Sequence, residues 1–514
     1  MKTFLRALSL VNWIFFRLPR AFSIPFTLLT LWWIFGGFRL ANDLLGATML
    51  SVVVWLVKGS LSSRIADALL YGLEPFLGGV VIVALFFFGL LIAYNICALI
   101  NGIVVWLRCK PSPYATGDPV RFDATLQVDP EFTHVDRIGI VLAGGGAKGA
   151  FQAGAMKAIY RYLDEKNALS KVKVIAGTSI GSWNALFWLA DLVKPAKGWE
   201  DVSIHERWWQ RISAKSLTAP SWYIPFLRNA FLSSLPWRQV FDRVFLKQAV
   251  KDRIAESPIH FYFTCSNVRT GELECATNNP KPTIISGVTY EPLDPQGGRR
   301  QNEADKNKFI AGVKAGVFAS MDLPPLFPYI KRNGKVFEDG GVIDNVPIIF
   351  AAVEACDLIF ILPLNSDFEE EPNENLISAR LFRVMDVRQG VLERGGFKLV
   401  YLYNELAALR QDDQKLRQQQ GLPAALQGDE PLAVSLRRKN EHTNVFTVCP
   451  ARSFVSNTIG TQEFWKPKEA AKALRVMYEA TWGLLPIFCF DQPEYRVRMA
   501  VVSEGGKICW DEDF

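Results

Sequence analysis

The sequence predicts an α/β protein with a mainly parallel central sheet, preceded by an all-α membrane region. Three observations carry this. Short apolar runs at Ile138–Leu142, Val172–Ile175, His260–Cys265, Lys335–Phe337 and Asp357–Leu362 are separated by helical patterns, the alternation of βαβ units. Glycine-rich turns follow the first two runs and open helices over Ala150–Asp164 and Ile180–Val193. Ahead of all this, residues 1–110 contain three charge-free stretches, Ala21–Phe38, Leu44–Val57 and Pro75–Leu107.

The membrane expectation follows from length and charge. A helix needs about 20 apolar residues to cross a bilayer. Pro75–Leu107 runs 33 residues without a charge, Ala21–Phe38 is about long enough, and Leu44–Val57 spans only if Lys58 snorkels. A signal peptide has one short apolar stretch and does not fit so long a region. Residues 1–110 carry nine basic and three acidic residues, the entire net charge of +6. That placement suits cations flanking membrane segments and argues against nucleic-acid binding, which needs a basic face on the soluble part. Basic residues before the first stretch and at Arg108 and Lys110 favour both ends of the region in the cytoplasm. This implies an even number of crossings, with one of the three stretches re-entrant or interfacial. The expectation is an integral membrane protein in contact with the bilayer, its main domain cytoplasmic.

Residues 111–136 read as a linker, broken by prolines and a glycine. The α/β domain is expected over 137–355, continuing through 356–514 with polar inserts and covering helices, among them an amphipathic Lys466–Trp482. Pro292–Lys308, Asp367–Asn375 and Leu409–Gln420 read as solvated surface. The eight cysteines contain no C-x-x-C pair and read as reduced, mostly buried thiols. The four histidines are scattered, so neither a metal nor a cofactor is expected.

Two turns and one aspartate carry the chemistry. Ala143-Gly-Gly-Gly-Ala-Lys-Gly-Ala150 follows a strand and opens a helix. Gly144, Gly145, Gly146 and Gly149 let backbone N–H groups approach an anion at a positive helix end. An oxyanion hole, a dinucleotide phosphate site and a plain tight turn all suit such a device. Gly144, Gly146 and Gly149 match G-x-G-x-x-G, but the acid that should close the next strand is missing, because Asp164 and Glu165 end the helix. Lys148 belongs to the turn and reads as a solvated first-turn residue. Gly177-Thr-Ser-Ile-Gly181 is G-x-S-x-G between a strand and an apolar helix, the context of a nucleophile elbow. Ser179 would be the nucleophile, with Gly177 and Gly181 supplying the small flanks; the alternative is an N-capping serine on an ordinary loop. Asp339 ends a short strand before Gly340 and Gly341; Asp-Gly is also a common hairpin turn.

Together these motifs resemble the patatin-like phospholipases. The matching residues are Gly144–Gly149, Gly177–Gly181, Asp339–Gly341 with Asn345-Val-Pro347, the segment Ala319-Ser-Met-Asp-Leu-Pro-Pro325, Phe327-Pro328, and a strand-end turn at Asn267–Leu273. The resemblance spans about 137–355 and implies a three-layer α/β/α sandwich. It also implies a lipid acyl hydrolase with a Ser179–Asp339 dyad, an oxyanion hole at the glycine turn, no metal, and a lipid substrate. A Ser–acid–His triad would need His442, since His205 and His260 precede the acid. A silent hydrolase-like membrane scaffold and a nucleotide-binding membrane protein are the other readings. Trp208, Trp209, Trp222, Tyr223, Phe226, Phe231, Trp237, Phe241 and Phe245, interleaved with arginines, suit either a membrane interface or an aromatic core.

Overall fold

In a computed structural model of the chain, β1 (Ile138–Leu142), β2 (Val172–Thr178) and β8 (Leu358–Leu362) lie side by side and are almost wholly buried. Strands covered on both faces need apolar side chains on both, which is why they stand out as continuous apolar runs. The structure describes residues 132–194, 202–212, 217–220, 230, 232–294, 302–324, 326–364, 412–421, 443–459, 464, 466–488 and 497–511, with single positions between 395 and 409. The three expected membrane stretches, residues 111–131 of the linker, Asp367–Asn375 and His442 lie outside the described residues. The last five residues of the expected linker are described and are not a free connection: Phe132 and Val135 are buried in the core, and the Asp136 N–H donates to Asp357. Among the described residues no helix is long and apolar enough to cross a membrane.

The other strands of the same sheet are β3 (His260–Asn267), β4 (Leu273–Thr277), β5 (Val288–Pro292), β6 (Ile330–Arg332), β7 (Lys335–Asp339), β9 (Asn444–Pro450), β10 (Val497–Val502) and β11 (Ile508–Asp511). They form one eleven-stranded sheet in the order β11-β10-β9-β8-β1-β2-β3-β4-β5, with β7 paired to β3 and β6 to β7. From β10 to β3 neighbouring strands run parallel, while β11, β4 and β7 join antiparallel. The chain moves from β1 outward through β2 to β3, then returns to the other flank of β1 with β8. Strand order therefore reverses at β1, and a crevice at the carboxyl ends of the strands is expected there.

One face carries most of the helices. α1 (Gly149–Glu165) and α2 (Ile180–Leu189) follow β1 and β2. Around them lie α3 (Ile204–Arg211), α4 (Leu235–Phe245), α5 (Gln248–Glu256), α6 (Glu303–Met321) and, after the strands return, α9 (Pro467–Leu484). α1 and α9 cross closely at Gly154, where a Cβ would lie 2.1 Å from the Leu474 carbonyl oxygen. On the other face, α7 (Ile348–Val353) packs Ile348, Phe350 and Ala351 against Val141, Val174 and Ile359. The short α8 (Arg452–Thr458) follows β9.

The described residues of Pro292–Lys308 are exposed or half-buried, as expected of a solvated segment, but they are structured: Pro292 ends the strand β5, and Glu303 opens the 19-residue helix α6. α6 is solvated as far as Lys308 and turns mostly buried from Phe309 on, so its polar start hid the helix. Between the two readings of the aromatic stretch the structure decides for the residues it describes. Trp209, Trp237, Phe241 and Phe245 are core and Trp208 packs against it; Trp208, Trp237, Phe241 and Phe245 gather with Phe318 around the fully buried Trp183. Trp222, Tyr223, Phe226 and Phe231 lie outside the described residues.

Candidate active site

The elbow grows from the end of β2. Ser179 has φ 53° and ψ −123°, a backbone state that L residues rarely adopt and that a packed surround must enforce. Packing enforces it at the two flanking glycines. A Cβ on Gly181 would lie 2.1 Å from the Leu142 carbonyl oxygen, and one on Gly177 2.7 Å from the Ser182 nitrogen. Ser320, from the buried end of α6, accepts the Ser179 N–H at 2.8 Å and lies 2.9 Å from the Ser182 hydroxyl, which donates to the Gly177 carbonyl. The turn is thus pinned from a helix far away in sequence.

Register brings the aspartate to it. β2 pairs with β3 as far as Thr178 opposite Thr264. On that same edge β7 then takes over, with Asp339 opposite Cys265. Ser179, one residue past the end of β2, therefore lies close to Asp339 at the end of β7, near enough for the serine side chain to lower the proton affinity of the Asp339 carboxyl. The Gly341 N–H donates to Asp339 Oδ1 at 2.8 Å, and Ser266 donates to the Asp339 carbonyl at 2.9 Å. Gly340 must be small, since a Cβ there would lie 2.4 Å from Thr264 Oγ1. Burial pushes the Asp339 carboxyl up to about 7, against the opposing pull of the Ser179 and Gly341 hydrogen bonds. A proton affinity near neutrality is what a general base at such a position requires.

The glycine turn lies against the same serine. A Cβ on Gly144 would sit 2.5 Å from Asn345 Oδ1 and 3.1 Å from the Ser179 Cβ. Gly144 spends its N–H on the Asn345 carbonyl at 3.2 Å, and Gly149 spends its own on Gly146 and Ala147. Gly145 and Gly146 stand on the same turn, where Gly145 precedes the short 3₁₀ turn Gly146–Lys148. Lys148 corrects the expectation of a solvated residue: it is buried, because the short 3₁₀ turn Gly146–Lys148 puts it inside the fold.

Sequence reasoning passed over a polar scaffold behind the turn. Gln152 on α1 donates to the carbonyls of Ala143 and Leu362 at 2.9 and 2.8 Å. Asn184 on α2 donates to Gln152 and the Gly149 carbonyl, and its own oxygen meets His205 and Trp209. His205 is buried and held down to about 3 by burial, so it is neutral and structural. Polar residues inside the apolar helices α1 and α2 were the available signal. Ser320 and Thr264 had none beyond the segment that contains Ser320. No group of His, Cys, Asp and Glu among the described residues could hold a metal, and Cys265, Cys275, Cys356 and Cys449 are buried free thiols.

A serine on a strained elbow, with a buried carboxylate and a glycine turn close to it, is the arrangement that serine ester hydrolysis requires. Comparison with known proteins agrees: residues 140–352 match the family model of the patatin-like phospholipases and form a patatin-like phospholipase domain. The chain is similar to proteins named Lysophospholipase NTE1: 27% identical over 46% of this chain to that of Saccharomyces cerevisiae, and 25% over 51% to that of Kluyveromyces lactis. It spans only 11% and 15% of those two proteins. The crystal structure of VipD from Legionella pneumophila aligns over 68% of this chain and 67% of its own, at 14% identity and a TM-score of 0.31, a likeness too slight to argue from. Domain and relatives together support an enzyme that hydrolyses lipid esters.

Proposed function

We propose that this chain is a membrane-bound serine lipid acyl hydrolase of the phospholipase or lysophospholipase type, working through a Ser179–Asp339 dyad. The observation that carries this is the register that ends β7 where β2 stops and so sets the buried Asp339 beside the elbow serine. Ser179 Oγ attacks the acyl carbonyl carbon while its proton passes to Asp339. The oxyanion is received by the N–H groups of Gly145 and Gly146. Collapse expels the alcohol, which takes the proton from Asp339. Asp339 then removes a proton from water, and the hydroxide cleaves the acyl-serine, returning the proton to Ser179. Gly177, Gly181, Gly340 and Gly341 keep the two loops close.

The lipid class is supported by the similarity to proteins named lysophospholipases and by the patatin-like domain. The membrane assignment is supported by the charge-free stretches of residues 1–110, and cytoplasmic placement by the basic residues that flank them. On this reading 1–110 anchors the chain, 111–136 links, 137–355 is catalytic and 356–514 completes the sheet. A fluorophosphonate probe tests the catalytic assignment: wild type should be labelled and Ser179→Ala should not. Labelling that survives the substitution refutes it.

A further inference from the structure

The polar scaffold behind the glycine turn is one directed line of hydrogen bonds. It starts at the Trp209 indole on α3, which can only donate. Trp209 Nε1 lies 3.0 Å from Asn184 Oδ1, so the Asn184 oxygen faces α3. Asn184 Nδ2 then faces the other way, donating to Gln152 Oε1 at 3.0 Å and to the Gly149 carbonyl at 3.1 Å. That turns Gln152 Nε2 towards the carbonyls of Ala143 and Leu362, at 2.9 and 2.8 Å. Carbonyls can only accept, so both ends of the line require the same orientation. His205 Nε2, 2.9 Å from the same Asn184 oxygen, must carry the imidazole proton. Every N–H of the two amides is used, and Gln152, Asn184, His205 and Trp209 are at most 1% exposed.

The line ends on one peptide group. The Ala143 carbonyl and the Gly144 N–H belong to the same planar unit. Gln152 holds the carbonyl, and the Asn345 carbonyl accepts the N–H at 3.2 Å. The unit is therefore clamped from both sides, immediately before Gly145. The Ala143 N–H donates at 3.3 Å to the Leu362 carbonyl that Gln152 also reaches, which ties the end of β1 to the end of β8. Glycine opposes rotation of a peptide plane only weakly, so Gly144 and Gly145 cannot hold the orientation by themselves. Without Gln152 the buried Ala143 carbonyl loses this donor, and a peptide that rotates to recover one re-aims the N–H groups that follow. We propose that Gln152 is a positioning residue for the oxyanion turn: it fixes the Ala143–Gly144 peptide plane, and Asn184, set by Trp209, fixes which way its amide faces. The inference rests on the hydrolase reading above. Gln152 acts through the backbone of the turn, not on the substrate.

Two substitutions separate this role from a merely structural one. Gln152→Met keeps the length of the side chain and removes both donors. Gln152→Glu supplies a carboxyl that donates once when protonated and repels both carbonyls when ionised. The assay is hydrolysis of a short, soluble p-nitrophenyl ester by the full-length protein in detergent. Values of kcat are expressed per serine labelled at the end point by a fluorophosphonate probe, so unfolded protein is not counted. At pH 8 both variants should lose about 30-fold in kcat, less than the outright loss of an oxyanion donor, with KM within about twofold. Burial raises the proton affinity of a carboxyl, so the kcat of Gln152→Glu relative to wild type should rise about fivefold between pH 8 and pH 5.5. The ratio for Gln152→Met should stay flat. Asp339 titrates in wild type and variants alike and cancels in the ratio, and His205, held at about 3 by burial, stays neutral throughout. Should Gln152→Met give no labelled serine, the Gln152→Glu ratio decides alone. A kcat per labelled serine within about threefold of wild type at pH 8, a loss carried by KM, or a Gln152→Glu ratio that does not rise towards acid overturns the proposal. If wild type shows no hydrolysis that Ser179→Ala abolishes, the hydrolase reading fails and this inference with it. If wild type is active and the Gln152 variants match it, only the positioning role fails.

Discussion

Asp339→Asn should make the protein inactive and more stable at pH 8. Asp339 is buried, and its carboxyl is held at about 7 where an ordinary aspartate sits at 3.8. Between about pH 4 and 7 the folded chain therefore keeps a proton that the unfolded chain has released. Stability that is present below pH 4 is lost as the pH rises through that window, and at pH 8 the buried charge costs on the order of 4 kcal/mol. An amide carries no such charge. It still accepts the Gly341 N–H but offers Ser179 a weaker partner, so the net gain should be about 1–2 kcal/mol, or about 2–4 °C in Tm. At pH 5 most of the gain should vanish, because the wild-type carboxyl is then protonated in the fold. Calorimetry at both pH values, beside ester hydrolysis, makes the comparison. An Asn variant that is inactive but no more stable at pH 8 than at pH 5, each relative to wild type, would refute the argument that burial sets this carboxyl's proton affinity.

Three further outcomes are expected. Gly181→Ala forces a Cβ to within 2.1 Å of a backbone carbonyl, whereas Gly145→Ala meets the movable Leu364 side chain at 2.7 Å. The first should cost about 3 kcal/mol or more and the second about 1 kcal/mol, and equal losses in thermal melts would contradict the packing account. Ser320→Ala leaves the Ser179 N–H without its acceptor and should lower kcat about tenfold, at a stability cost of about 1–2 kcal/mol, with KM little changed. His205 is held at about 3 by burial, so the unfolded chain takes up a proton below about pH 6.5 that the folded chain refuses, and stability falls as the pH drops through 6.5. His205→Gln should flatten that acid-side decline in a series of melts between pH 7 and pH 4, and an unchanged slope would count against it.

The central strands were legible because burial on both faces leaves no room for polar alternation. Ile138–Leu142 and Leu358–Leu362 are apolar throughout for that reason. Leu273–Thr277 and Val288–Pro292 near the far edge mix polar and apolar residues and gave no clear period. α6 was missed because half of it is solvated, although the other half brings Ser320 to the site. Lys148 looked like a solvated first-turn residue because a linear motif does not say which way a 3₁₀ turn faces.

By itself the sequence determined the elbow and the glycine turn, because each is a local steric demand: a strained serine between small neighbours, and a turn that tolerates no Cβ near its carbonyls. Tertiary structure alone decided what stands opposite the serine. Asp339 reaches Ser179 only because β7 continues, along one edge of β3, where β2 stops. That register, and the burial that lifts Asp339 towards neutrality, depend on contacts between distant segments that no local pattern encodes.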